Sequence, residues 1–336
     1  MSDLKEKTHL YPGQVIRNIG SRYTSYLTFV VLAIVLGILT KGQGLKYDSI
    51  QNLMIAEAVR AFTALGVGMI IITRGIDLSI GYVICLTTSV AASLAQNIDY
   101  SSAMYPGADF PIWLPVVAAV AVGMLVGAFN GVLVAYAKLP PFIATLGTLS
   151  LARGVQLIYT QAKVVGSLKD SYKRIAQGFV GPIPNLVIYV IIAAFVVWIL
   201  LNHTRLGENL YAIGGNPQAA RVAGINVEKD LVFVYTFAGF LYGIGGALMA
   251  SRLGLANSLT GNGMELDAIA AVTVGGVSQT GGVGTMGGMV IGILTIGIIN
   301  YGMTYLGIDS YYQLLMKGTI IIVAVFFDMR KHAREG

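Results

Sequence analysis

Gly214-Gly215-Asn216-Pro217-Gln218-Ala219-Ala220-Arg221-Val222-Ala223-Gly224-Ile225 carries both ends of a short helix in its own residues. Asn216 suits the N-cap, where its side-chain oxygen can accept from an orphan amide of the first turn. Pro217 suits the first helical position, where the missing N–H costs nothing. Gly224 suits the left-handed residue that closes a helix. The spacing predicts a helix over 217–223. About two turns are too few to be stable alone in water, so such a helix needs a surface to lie on. It sits in a polar island, 202–230, with long apolar runs on both sides.

Those runs decide the fold class. Of 336 residues, 55% are hydrophobic and 11% charged, against about 25% charged in soluble domains. The mean hydropathy is +0.73. Glycine occurs 42 times with no triplet period, as suits membrane helices whose backbones approach closely. Ten apolar stretches qualify as spans of an all-α polytopic membrane protein: 25–40, 50–73, 78–96, 112–136, 142–160, 185–201, 231–252, 265–278, 284–307 and 311–327. The first, sixth and eighth are short, as tilted, broken or re-entrant segments would be. No secretory signal pattern precedes the first run, which should be retained as a helix.

Ten spans place both termini on one side, and the basic residues choose it. With the termini inside, twelve Lys and Arg fall in inner segments, six in outer ones and four in or beside spans. That bias favours cytoplasmic termini. The expected organisation is a cytoplasmic segment 1–24, a first membrane half 25–201, a cytoplasmic loop 202–230, a second half 231–327 and a cytoplasmic tail 328–336. The two halves resemble each other weakly. Gly123-Met124-Leu125-Val126-Gly127 is echoed by Gly288-Met289-Val290-Ile291-Gly292, and the odd span offset gives inverted topology, as in many transporters.

Chemistry-bearing motifs are scarce. Gly282-Val283-Gly284-Thr285-Met286-Gly287 matches G-x-G-x-x-G, but it opens a membrane span with no acid about 20 residues on, so a tight turn and close packing are expected. No P-loop sequence occurs, so any ATP hydrolysis belongs to another polypeptide. Cys85 is the only cysteine, and His9, His203 and His332 are scattered, so neither a metal nor another cofactor is expected. The net charge of +6 is read as loop asymmetry and not as a nucleic-acid signal. Nothing suggests a membrane enzyme.

Intramembrane ionisable residues are costly and often functional. Glu57 and Arg60 share a helical face and are expected to pair. Arg74 is expected to pair with Asp77, which could cap the helix after the Arg74–Ser79 break. Glu265 and Asp267 suit a helix N-terminus, and Lys317 is expected to point into a cavity. Aromatic, amide and hydroxyl groups suited to sugar gather in two places: Asn130, Phe142, Thr145 and Tyr159 in the first half, and Asn300, Tyr301 and Tyr305, followed by Tyr311, Tyr312 and Gln313, in the second. The pathway candidates are Asn130, Phe142, Thr145, Asn300, Tyr301 and Tyr305.

The chain resembles the permease subunits of ribose-type bacterial ABC sugar importers, and within them the galactose/methyl-galactoside branch. The resemblance rests on Gly75-Ile76-Asp77-Leu78-Ser79, Pro141-Phe142-Ile143-Ala144-Thr145-Leu146-Gly147-Thr148 and Ala212-Ile213-Gly214-Gly215-Asn216-Pro217 with Gly224-Ile225-Asn226-Val227. It also rests on Glu265-Leu266-Asp267-Ala268-Ile269-Ala270-Ala271, Gly275-Gly276-Val277-Ser278 and Ile299-Asn300-Tyr301-Gly302. It runs from about 25 to 332 and is strongest over 205–330. It implies a type II ABC importer-like fold in the bacterial inner membrane, working as a homodimer within lipid. The implied partners are a tandem ATP-binding subunit, a periplasmic or lipoprotein sugar-binding protein and a monosaccharide. It makes 217–223 an ATPase-coupling helix, with Gly214, Gly215, Asn216, Pro217, Ala219, Ala220, Arg221, Gly224 and Ile225 as its coupling residues. An ion-coupled secondary sugar carrier, or a permease of this family for ribose or nucleosides, stays open as an alternative.

Overall fold

A computed structural model describes residues 12–332, with side-chain surroundings from Ser25 onward. The expected terminal segments 1–24 and 328–336 fall partly outside those residues, and Lys5, Lys7, His9 and Arg334 fall entirely outside. The described chain is predominantly helical, with one two-stranded hairpin.

The helices are α1 (Pro12–Leu39), α2 (Tyr47–Ile72), α3 (Ile80–Leu94), α4 (Trp113–Ala135), α5 (Pro141–Thr160), α6 (Asp170–Gln177) and α7 (Asn185–His203). They continue with α8 (Arg205–Gly215), α9 (Pro217–Val222), α10 (Val227–Leu253), α11 (Met264–Val274), α12 (Met286–Tyr305) and α13 (Ser310–His332). Each of the ten expected spans corresponds to one of them. Six of these (α2, α4, α5, α7, α10 and α12) are long and apolar enough to cross a membrane. The eighth, α11, has 11 residues, about 16 Å of rise, half of the ~30 Å hydrocarbon core. The first is not short: its apolar part continues a helix that begins at Pro12. Apolar counting does not register α6, α8 or the hairpin β1 (Phe179–Val180) with β2 (Ile183–Pro184).

Helix α10 is the hub, packing along α4 and against α3 and α2. The C-terminal half of α2, residues 61–72, is buried on every side, as expected of a helix apolar all round. Along the α4–α10 seam, a Cβ on Gly123 would strike the Gly239 carbonyl, and one on Gly239 would strike the Gly123 carbonyl. Only glycine permits that backbone approach. Gly288 and Gly292 do the same for α12 against Gly275 and Ala271 at the end of α11. Both G-x-x-x-G pairs are therefore packing seams, each with its own partner helix.

Candidate coupling site and polar pathway

Helix α9 is closed at both ends by the expected residues. The Asn216 Oδ1 accepts from the Gln218 and Ala219 amides at 3.0 and 3.1 Å. At the other end Gly224 has φ +87°. Its N–H donates to the Arg221 carbonyl, and the Ile225 N–H donates to that of Ala220, each at 3.0 Å. This is a complete Schellman closure, with Ile225 against the Ile213, Ala220 and Val227 cluster as its hydrophobic contact. The helix ends at Val222, one residue short of the expected bound. Gln218, Ala219, Arg221, Val222 and Ala223 face outward, and Val222 is 91% exposed. Ala220 and Gly214 are buried supports, not surface groups.

Helix α8 seats α9 on the bundle. Its N-cap is Thr204, whose Oγ1 accepts from the Gly207 amide. The buried face is Gly207, Leu210, Ile213 and Gly214. Its last turn meets two other chain segments. A Cβ on Gly214 would collide with the Ile72 carbonyl and the Gly282 amide. The Gly282 N–H donates to the Ile72 carbonyl at 2.8 Å, and the Tyr211 hydroxyl donates to the Gly284 carbonyl at 2.9 Å. Burial pushes the Tyr211 hydroxyl up from its ordinary pKa, which keeps it a donor. The G-x-G-x-x-G stretch is thus a turn, with Gly281 and Gly282 at positive φ, leading into α12 behind its Thr285 cap.

Arg74 completes this junction, and here one expectation is corrected. Arg74 does not pair with Asp77. Its Nε donates to the Gly214 carbonyl at 2.6 Å and its Nη2 to the Gly215 carbonyl at 2.7 Å. Asp77 instead accepts from the Ser79 amide and hydroxyl at 2.8 and 2.6 Å. The partner 140 residues away wins because Arg74 occupies the left-handed residue closing α2, at φ +64°. Its amide donates to Ile71 and that of Gly75 to Ile70, the closure that α9 makes with a glycine. A non-glycine there costs roughly 1–2 kcal/mol, and the two bonds to α8 offset it.

The candidate pathway residues form two separate groups, since α12 makes no extended contact with α4 or α5. Asn130 and Thr145 are buried and both hold the α2–α3 break. The Asn130 Nδ2 donates to the Ser79 Oγ at 3.0 Å, and the Thr145 Oγ1 accepts from the Leu78 amide at 3.1 Å. The Asn130 Oδ1 is buried without a partner among the described residues. Phe142, at the start of α5, is half exposed. On α12, Asn300 is buried beside the Glu57 carboxylate. The Tyr301 and Tyr305 rings lie 6.1 Å apart, with Tyr301 packed on the Leu36, Leu53 and Ile298 cluster.

The structure adds a buried ion chain. Glu57 pairs with Arg60 at 2.6 Å, as the spacing predicts. Arg60 continues to Asp267 at 3.1 Å, and Asp267 to Lys317 at 2.9 Å. Lys317 thus meets a carboxylate and not an open cavity, and Asp267 serves two cations besides its place in the first turn of α11. Gly297, one turn before Asn300, lies against Glu57. A polar pocket of about 380 Å³ opens beside the ends of α3 and α5, lined by Gln96, Tyr100, Tyr159, Gln161 and Lys163 among others.

The fold is a bundle of membrane-length helices with a capped surface helix bonded to its core. Residues 49–325 match the family described as branched-chain amino acid transport system / permease component. The chain belongs to that family, and it is a permease subunit of the ribose-type ABC importer class. It is 41% identical to the galactose/methyl galactoside import permease protein MglC of Escherichia coli (strain K12) over 317 residues, 91% of this chain and 94% of the relative. It is 37% identical to the ribose import permease protein RbsC of Bacillus subtilis (strain 168) over 311 residues, 92% of each. It is 38% identical to the RbsC of Escherichia coli (strain K12) over 288 residues, 84% of this chain and 86% of the relative. No solved structure matches.

Proposed function

We propose that this chain forms the translocation pathway of an ABC importer for galactose or methyl galactoside. Two copies enclose the pathway in a bacterial inner membrane, with termini and the 202–230 loop in the cytoplasm. A separate tandem ATPase hydrolyses ATP, and a periplasmic or lipoprotein binding protein delivers the sugar. Helix α9 seats in the ATPase through Val222 and its neighbours. One observation carries the reading: an exposed helix, capped at both ends, is bonded through α8 and Arg74 to the end of the buried helix α2. A rigid helix so placed moves as a body and carries that movement to the α2–α3 break and, through Gly282, to α12. The sugar preference is supported by the identity to MglC permeases.

Movement requires the ATPase to bind the two permease arrangements unequally. Alternating access then follows as one half of the bundle shifts against the other. Asn130, Phe142, Thr145, Asn300, Tyr301 and Tyr305 are the pathway candidates. Asn130 and Thr145 act by shaping the α2–α3 break.

Proteoliposome uptake tests the reading. The chain with its ATPase and binding protein should import labelled galactose only with ATP inside the compartment holding the ATPase. Galactose uptake by the chain alone under a proton or sodium gradient would replace this reading with the ion-coupled carrier. Import of ribose or a nucleoside in place of galactose would reassign the substrate.

A further inference from the structure

Leaving aside their terminal turns, the six helices long and apolar enough to cross a membrane carry three charged side chains: Glu57, Arg60 and Arg153. Glu57 is buried and paired with Arg60. Arg153 of α5 is exposed and makes no ion pair among the described residues. Its contact is with an aromatic face: the Arg153 Cζ lies 5.2 Å from the centroid of the Tyr82 ring.

That ring fixes the depth of the charge. Helix α5 has 20 residues, about 30 Å of rise, the thickness of the hydrocarbon core. It runs beside α3 in a constant register. The Thr145 Oγ1 accepts from the Leu78 amide, and the Gln156 Nε2 donates to the Ser89 Oγ, each across 67 positions. Tyr82 is therefore level with Leu149, beside the midpoint of α5. The Arg153 side chain runs back along its helix to that level, as helical side chains do, and not outward to the nearer end at Thr160. It does not snorkel, and its charge sits near mid-membrane.

A charge at that depth is costly in lipid, and such groups face protein or a water-filled cavity. Protein supplies no counter-charge here. Helix α5 packs on α3 and α4, neither of which contains an acid. A second copy brings the same six helices, whose one acid inside the terminal turns, Glu57, is buried and already paired. Water is what remains to solvate the guanidinium. Arg153 also stands three helical turns after Phe142, so it shares the exposed face of that pathway candidate.

We propose that Arg153 projects into the water-filled sugar pathway and bars cations from it. This rests on the reading of the chain as one of two copies enclosing that pathway. A passage wide enough for a sugar is also wide enough for sodium and for a chain of water that conducts protons. A fixed positive charge turns cations back and leaves a neutral sugar unhindered. Two copies place two such charges along one passage.

Proteoliposomes holding the permease with its ATPase and binding protein test this, with galactose import and cation leak read in the same vesicles. Wild type and Arg153→Lys should import galactose with little sodium or proton leak. Arg153→Met should leak about tenfold more per sugar imported, and Arg153→Glu more again. The one native thiol, Cys85, is buried. In a Cys85→Ala background, Arg153→Cys in the assembled complex should be labelled by a charged, membrane-impermeant thiol reagent supplied on both faces, because a thiol in lipid stays protonated and unreactive. Unchanged leak in Arg153→Met and Arg153→Glu complexes that still import would overturn the proposal. So would an unlabelled Arg153→Cys, which decides the matter alone if the other variants fail to assemble. Absence of ATP-driven galactose import by the wild-type complex would instead overturn the sugar reading, and labelling would then judge Arg153 by itself.

Discussion

Arg74 donates from its guanidinium to two consecutive carbonyls, those of Gly214 and Gly215, at 2.6 and 2.7 Å. This contact ties the end of a buried helix to the base of an exposed one. The same junction contains the Gly282-to-Ile72 backbone bond. Three segments far apart in sequence thus close on one point beneath α9.

Val222 should be a binding hot spot and not a stability residue. It is 91% exposed on a helix whose own closure uses other side chains. Val222→Asp should leave the melting temperature of the purified permease within about 1 °C of wild type, as surface substitutions do. It should weaken ATPase association by about 2 kcal/mol, roughly thirtyfold. Co-purification against ATPase concentration measures this, and unweakened association would remove α9 from the interface.

The caps should matter through order, not contact. Asn216→Ala removes the acceptor of two amides and should cost about 1 kcal/mol of local stability. Gly224→Val forces a β-branched residue to φ +87° and should cost at least 1–2 kcal/mol. Hydrogen exchange over 216–225 should speed in both variants while the amides of α2 stay protected. Unchanged exchange would show that the loop context, and not its caps, holds α9.

Gly214→Ala should separate α8 from its seat. The added methyl meets the backbone of Ile72 and Gly282, neither of which can rotate away. The expected result is a folded permease with lowered thermal stability and faster exchange at Tyr211 and Gly282. An unshifted melting temperature would contradict the tight backbone junction.

The ion chain should respond more to loss of its shared carboxylate, Asp267, than to loss of its terminal cation, Lys317. Asp267→Asn leaves Arg60 and Lys317 without their shared carboxylate, and breaking a buried pair costs about 3 kcal/mol or more. Lys317→Met removes one cation and leaves Asp267 paired with Arg60, so its cost should be smaller. Thermal denaturation of both variants in one detergent decides the order, and a greater loss in Lys317→Met would contradict it.

What the sequence discloses follows the range of the forces involved. Helix α9 is legible because its caps are local: Asn216, Pro217 and Gly224 act on neighbours a few residues away. The spans are legible because the bilayer imposes a length and an apolar composition. Helix α8 carries a readable signal too, a Thr204 cap with Leu206, Leu210 and Ile213 at helical spacing, but its charged and glycine-rich composition resembles a loop. The Arg74 contact is not legible, since Asp77 stands three residues away and Gly214 and Gly215 offer only backbone carbonyls 140 and 141 residues on. The same holds for Lys317, whose carboxylate lies 50 residues back on α11. The candidate pathway residues have chemistry suited to sugar, and tertiary packing assigns Asn130 and Thr145 to the α2–α3 break.

The most direct test of coupling is sugar imported per ATP hydrolysed in Arg74→Gln, measured in proteoliposomes with the ATPase and binding protein present. Glutamine cannot donate to both carbonyls with the guanidinium's reach. The account predicts that the variant assembles with the ATPase and hydrolyses ATP while import per ATP falls by about tenfold or more, the loss expected when charge-assisted bonds worth 1.5–3 kcal/mol are removed. Wild-type import per ATP in an assembled Arg74→Gln complex would contradict it.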